Sequence, residues 1–324
     1  MGFFTRRPSQ AGGFRLRFFD GSAGFGYDGL VMLGCLETCM NVMDTSAEML
    51  SAYEGGHFCL ERWEEYIGRC VPGAGELNLA EMRETVAAGY SWEKEFLPVL
   101  DACYASSAKR EEAVRSFHRV TDGLDGRIVS RFGRTVDADI VLYLGLCAGA
   151  GWVTPVNGRT TVLLGMEKIL ELDWGSMDAM TGLIVHELGH VYHSQYGNLD
   201  METGTGRDAF IWQLFTEGIA MVFEQEVVGD PEYFHQDQDG WKEWCRQNVG
   251  KIREAFFRDL DTMTDDTQRY FGDWVRFEGH GDTGYYLGTR FVRFLLESDD
   301  FDRLIRYGMD EVRDGFMRFM QAEL

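Results

Sequence analysis

Residues 177 to 192 read Met177-Asp-Ala-Met-Thr-Gly-Leu-Ile-Val-His186-Glu187-Leu188-Gly189-His190-Val191-Tyr192, with apolar residues at helical spacing throughout. On a helix the two histidines, four apart, stand one above the other on one face, about one turn from each other. That spacing suits one zinc ion, with His186 and His190 as ligands. Glu187, one position after the first ligand, turns toward the same edge of the helix. Its carboxylate there reaches a metal-bound water rather than the metal, which makes it the candidate general base. The chain holds only seven histidines in 324 residues, so composition alone seldom produces this pattern.

A catalytic zinc takes three protein ligands and keeps a fourth position open, so two histidines require a partner. Position 196 is Tyr, where a metzincin would carry a third histidine. His193 shares the helix face, but three ligands on one straight helix would spread over about 10 Å of rise; it reads as a pocket-lining or capping residue. Downstream, Phe215-Thr-Glu217-Gly-Ile-Ala220-Met-Val-Phe-Glu224 offers Glu217 between small residues, Gly218 and Ala220, that let two helices approach closely. Glu217 is the expected third ligand, with Glu202, Asp208 and Glu226 as other carboxylates close in sequence. Glu224, on the same face, is suited to accept the outer ring N–H of a liganding histidine. An oxyanion formed at such a site needs one further donor. His280, in the Gly-rich run Glu278-Gly-His-Gly-Asp282, is one candidate. His57, His118 and His235 receive no role.

Around the motif helix, Ile140 to Leu144 and Thr160 to Leu164 read as β-strands about a Gly-rich turn, Gly145 to Gly151, and a Pro155-Val-Asn-Gly158 turn. A polar loop, 197 to 207, leads to a second long helix over 208 to 228. With these strands, the chain resembles the gluzincins, the thermolysin-like zinc peptidases in which a His-Glu-x-x-His helix is completed by a downstream Glu. Within them it is similar to the bacterial family of predicted zinc-dependent proteases, through His186 to His190, Glu217-Gly-x-Ala220 and Gly284-Tyr285-Tyr286-Leu287-Gly288. The likeness covers roughly residues 135 to 310 and leaves the first 130 unexplained. It implies a single-zinc peptidase with Glu217 as third ligand and Tyr285 as the oxyanion donor. The aminopeptidase branch carries Gly-x-Met-Glu-Asn on its edge strand, whereas this chain has Gly149-Ala-Gly-Trp-Val153 there, which favours endo- or oligopeptidase action.

The rest of the chain sets bounds. Basic residues number 31 against 53 acidic, a net charge of −22; such a field repels phosphate backbones and anionic lipid, so neither nucleic acid nor membrane is an expected partner. Peptide or protein is. Seven cysteines at 35, 39, 59, 70, 103, 147 and 245 form no compact framework and read as free thiols, which suggests a reducing, cytoplasmic setting. The N-terminus shows no secretory pattern, and Ile140 to Val156 is too short and Gly-broken to span a membrane. A short alternating piece, Phe14 to Phe19, reads as a strand or arm. Helical periodicity runs over 36–53, 58–67, 82–104 and 111–132, and again over 284–296 and 301–320.

The expected fold is therefore α+β, mostly helical, with a helical N-terminal region over 1–133 and a gluzincin-like zinc peptidase domain over 134–324 holding a small sheet beside the motif helix. A different class of protein fits the same residues: a non-catalytic zinc-containing chain that binds a peptide or partner without cutting it. A zinc hydrolase acting on another substrate is a third.

Overall fold

A computed structural model describes residues 40–204, 206–272 and 275–323. The fold is α+β and mostly helical. In chain order the elements are β1 (Met40–Asp44), a 3-10 turn (Met49–Ala52), β2 (Tyr53–Glu54), β3 (His57–Phe58), α1 (Leu60–Cys70), α2 (Ala74–Ala87), a π-helical turn (Trp92–Phe96), α3 (Leu97–Ala105), α4 (Ser107–Thr121) and α5 (Leu124–Phe132). There follow β4 (Ala138–Tyr143), β5 (Gly151–Val156), β6 (Arg159–Gly165), α6 (Met166–Glu171), α7 (Met177–Tyr196), α8 (Gly206–Val228), α9 (Trp241–Asp259), α10 (Thr283–Leu295), α11 (Phe301–Leu304) and α12 (Met309–Gln321).

Four strands form one sheet in the order β1-β4-β6-β5, with β1, β4 and β6 parallel and β5 antiparallel to β6. β4 is buried along nearly its whole length, as a central parallel strand covered on both faces must be, and so it reads as a continuous apolar run. β5 and β6 are joined by a two-residue turn in which Asn157 (φ 51°) and Gly158 (φ 81°) are both left-handed, the backbone that matches the twist of a tight hairpin. Gly165 N–H donates to Ala150 O. By the antiparallel alternation, Trp152, Thr154 and Val156 then pair inward with β6, while the backbone of Gly151, Val153 and Pro155 faces the outer edge. Pro155 thus loses no ladder bond. The Gly-rich crossing into β5 is pinned by the buried Glu167 carboxylate, which accepts from the N–H of Gly145 at 3.0 Å and of Cys147 at 2.9 Å.

Several expected elements differ. The helix expected over 36–53 is, within the described residues, a strand, a 3-10 turn and a two-residue strand. Met40 to Asp44 pairs residue by residue with Ala138 to Leu142, a partner about 100 positions away that overrides local periodicity. This pairing also joins the two sides of the boundary drawn at 133/134. The segment 82–104 is broken where Gly89 takes a φ of 108°, and Pro98 opens α3. Gly123, at φ 66°, divides 111–132 into α4 and α5. The segment 301–320 is split before Gly308, whose N–H donates to Glu311. Phe14 to Phe19, Cys35 and Cys39 lie outside the described residues; the other five cysteines are free thiols, with 103, 147 and 245 buried. Among the described residues no helix is long and apolar enough to cross a membrane.

α7 sits at the centre, packed between β5 and β6, α4 and α8, and from Gly182 to His193 every residue is buried. α10 backs α8 from the other side. Both crossings are set by glycine. A Cβ at Gly189 would lie 3.0 Å from Ala220 Cα, and one at Gly218 would lie 2.3 Å from the carbonyl oxygen of Gly288. Ala220 therefore serves the approach of α8 to α7, whereas Gly218, expected to do the same, serves the approach to α10. A Gly288→Ala side chain would meet Leu214 O at 2.5 Å, so it is expected to destabilise the fold by about 1–3 kcal/mol. Gly250→Ala, in the interior of α9 with nothing within 4 Å, should instead add about 0.5–1 kcal/mol. Denaturant unfolding of the two variants checks both signs.

Candidate metal centre

Ser176 caps α7, its hydroxyl accepting from Ala179 N–H at 3.3 Å, and the helix then carries His186, Glu187 and His190 into the interior at 6%, 7% and 1% exposure. From α8, Glu217 arrives at 1%. His186 Nε2 lies 3.2 Å from Glu217 Oε2, His190 Nε2 lies 3.3 Å from the same oxygen, and the two Nε2 atoms are 3.2 Å apart. This is a nearly equilateral triangle of donor atoms. Three ligands at about 2.0 Å from a tetrahedral ion stand about 3.3 Å apart. The group His186, His190 and Glu217 could therefore hold one metal ion, and among the described residues it is the one His/Cys/Asp/Glu cluster of that kind. The structure thus brings together the three residues expected as ligands.

The electrostatics fit a cation. Burial alone would lower the His186 imidazole, but the carboxylates of Glu217, Glu224 and Glu187 outweigh it and raise the group to about 10. Burial would raise Glu217, yet His190 and His186 hold it down to about 2. His190 is lowered, by burial first. The buried carboxylates of Glu217 and Glu224 are thus held in the charged form against their burial by the imidazoles beside them, a role a metal ion fills without protons.

Glu187 stands apart from the triangle. Burial pushes its carboxyl up to about 7, with His186 pulling down and Glu217 pushing up. Its Oε2 has no hydrogen-bond partner among the described residues. The opposite side of this carboxylate meets β5: a Cβ at Gly151 would lie 2.9 Å from Glu187 Oε1 and 2.9 Å from Leu183 Cδ1. Only glycine at 151 lets the outer strand come this close to the helix.

The remaining expected residues divide. Tyr285, in the first turn of α10, is brought beside His186, with ring centroids 5.7 Å apart. Glu224 is fully buried, its Oε2 3.6 Å from His186 Nδ1, beyond hydrogen-bond length but on the side expected. His280 is not brought in: its ring stacks on Trp244 of α9, centroids 3.8 Å apart, and its backbone closes a turn with Phe277. His193 is buried and held down to about 3 by burial and by His190, a neutral core histidine. His57 and His118 hydrogen-bond to Asp101 and Asp44.

One residue given no role belongs to the site. His235 places Nδ1 3.0 Å from each oxygen of Glu224, and its ring stands 5.6 Å from that of His186. The signal for it in the chain is Gly182, a glycine inside a helix, which marks a close approach without naming what approaches.

The purified protein is expected to contain about one equivalent of metal ion, and stripping it with a chelator should lower stability by about 2.7 kcal/mol when the ion was present at 100 times its Kd. Glu217→Ala should lose both the ion and the chelator effect in elemental analysis and thermal unfolding. Full metal content in that variant would place the ion elsewhere.

No protein-family model, no curated protein and no solved structure matches this chain.

Proposed function

We propose that the chain is a zinc-dependent metallopeptidase of the gluzincin type, cleaving peptide bonds by direct attack of water. The observation that carries this reading is the triangle of His186 Nε2, His190 Nε2 and Glu217 Oε2 with edges of 3.2 to 3.3 Å, beside the buried carboxylate of Glu187, whose Oε2 has no hydrogen-bond partner among the described residues. Two imidazoles and one carboxylate at tetrahedral spacing suit zinc, and three protein ligands leave a fourth position for chemistry. A structural site would be closed by a fourth side chain, and none joins this group among the described residues. Bound zinc would polarise the scissile carbonyl and acidify water.

The residues of the chain supply the rest. Glu187, lifted into the range near neutrality, takes a proton from the attacking water and returns it to the leaving amine. Tyr285 is the expected donor to the oxyanion, on the His186 side of the site. The outer edge of β5 offers the N–H and C=O of Gly151 and Val153 as a template for an extended peptide, laid along the strand that touches Glu187. Main-chain bonding of that kind orients a substrate without reading its side chains. The setting proposed is cytoplasmic, in line with the free thiols.

Glu187→Gln keeps the shape of the site and removes the base. Cleavage of a mixed peptide library by the zinc-loaded protein should fall by about 10²–10⁴-fold, with zinc content unchanged. One equivalent of zinc without cleavage by the wild type, across peptides of varied length, would instead favour a zinc-containing peptide- or partner-binding protein.

A further inference from the structure

The segment 229–240, between α8 and α9, straps these helices to α7. Gly229 and Asp230 donate their N–H groups to Gln225 O, and the Gln225 side-chain amide returns a bond to Tyr233 O at 3.0 Å. Arg293 of α10 fixes the other end of that amide, donating to Gln225 Oε1 at 2.8 Å. The Tyr233 hydroxyl donates to Asp178 O near the start of α7, and Phe234 stacks on Tyr286, centroids 5.2 Å apart. Between these anchors His235 enters the core at 7% exposure. It passes directly over Gly182, where a Cβ would lie 2.1 Å from His235 Cβ, and its ring meets Trp174 edge-on at 5.3 Å.

The end point of this insertion is Glu224, which is 0% exposed and held by His235 Nδ1 at 3.0 Å to both oxygens. The same carboxylate faces His186 Nδ1 at 3.6 Å. A histidine that binds a metal through Nε2 carries its proton on Nδ1 and needs an acceptor for it, which sets the ring's orientation. Glu224 is the carboxylate that faces this nitrogen, a small shift short of hydrogen-bond length, and a buried carboxylate keeps its position only while its other donors are in place. We infer that His235 is a positioning residue of the metal centre: it fixes Glu224 where that carboxylate orients His186, and so couples metal affinity to the 229–240 strap. The inference rests on the reading of His186, His190 and Glu217 as metal ligands.

The test measures the zinc dissociation constant of the full chain by competition with a chromophoric chelator, together with the visible spectrum of the cobalt-substituted protein. His235→Leu keeps bulk and removes the donor, and should weaken zinc by about 10–100-fold; His235→Asn, whose amide nitrogen stands where Nδ1 does, should stay within about threefold of wild type. Glu224→Gln should weaken zinc similarly, and adding His235→Leu to it should cost less than about twofold more, because both changes cut one chain of contacts. The cobalt band should shift in His235→Leu and return in His235→Asn. Zinc affinity in His235→Leu equal to wild type, with only the melting temperature lowered, would overturn the inference and leave the metal centre standing. If His235→Leu does not fold, His235→Asn and His235→Gln decide, since Gln sets its amide one bond too far; equal affinities there would overturn it. A wild type that binds no zinc in the same assay would remove the centre itself and the inference with it.

Discussion

The distance between α7 and α8 is the constraint on which the rest depends. A glutamate on one helix meets two histidines on the other only if the backbones nearly touch, and they do so at Gly189 and Ala220. At the closest point, Gly189 against Ala220, neither helix presents a large side chain, so outside elements help to hold the pair together. α10 does this for α8 through Gly218 and Gly288, and β5 does it for α7 through Gly151. Aromatic contacts close the remaining side: Phe132 of α5 stacks on Phe223 of α8 with centroids 4.6 Å apart, and Tyr192 of α7 lies 5.2 Å from Phe223.

Bringing Glu187, Glu217 and Glu224 into the interior is the unfavourable part of this design. Each unbalanced carboxylate at such depth costs several kcal/mol, and the nearby positive groups are imidazoles that can give up their protons. His235 Nδ1 lies 3.0 Å from both oxygens of Glu224, and His186 and His190 face Glu217. Glu187 Oε2 has no hydrogen-bond partner among the described residues, and a carboxylate in that condition beside a group that could hold a metal ion is better suited to receive a proton than to hold the fold together. The cluster is thus two layers deep, with the inner carboxylate and imidazole setting the orientation of the outer ones.

How much of this could be read from the chain follows from the range of each interaction. His186, Glu187 and His190 lie within one helical turn and are legible as a motif. Glu217 was legible because small residues around it signalled a helix crossing, although Gly218 turned out to serve a different crossing from the one expected. β1 was not legible, because what makes Met40 to Asp44 a strand is the edge of β4 rather than its own periodicity. His235 was hidden for a related reason: its place is decided by where a loop closes over Gly182, and no spacing in the chain records that. His280 failed in the opposite sense, since a Gly-rich loop with a histidine carries the same signature whether it faces a site or stacks on a tryptophan.

X-ray absorption at the zinc edge of the loaded protein reads the ligand set itself. The expected result is a four-coordinate ion with two imidazole nitrogens and two oxygens, at about 2.0–2.2 Å, and no sulfur. A shell containing sulfur, or three imidazoles, or six oxygen ligands would contradict it, because none of these can be built from His186, His190 and Glu217 with one position left for water.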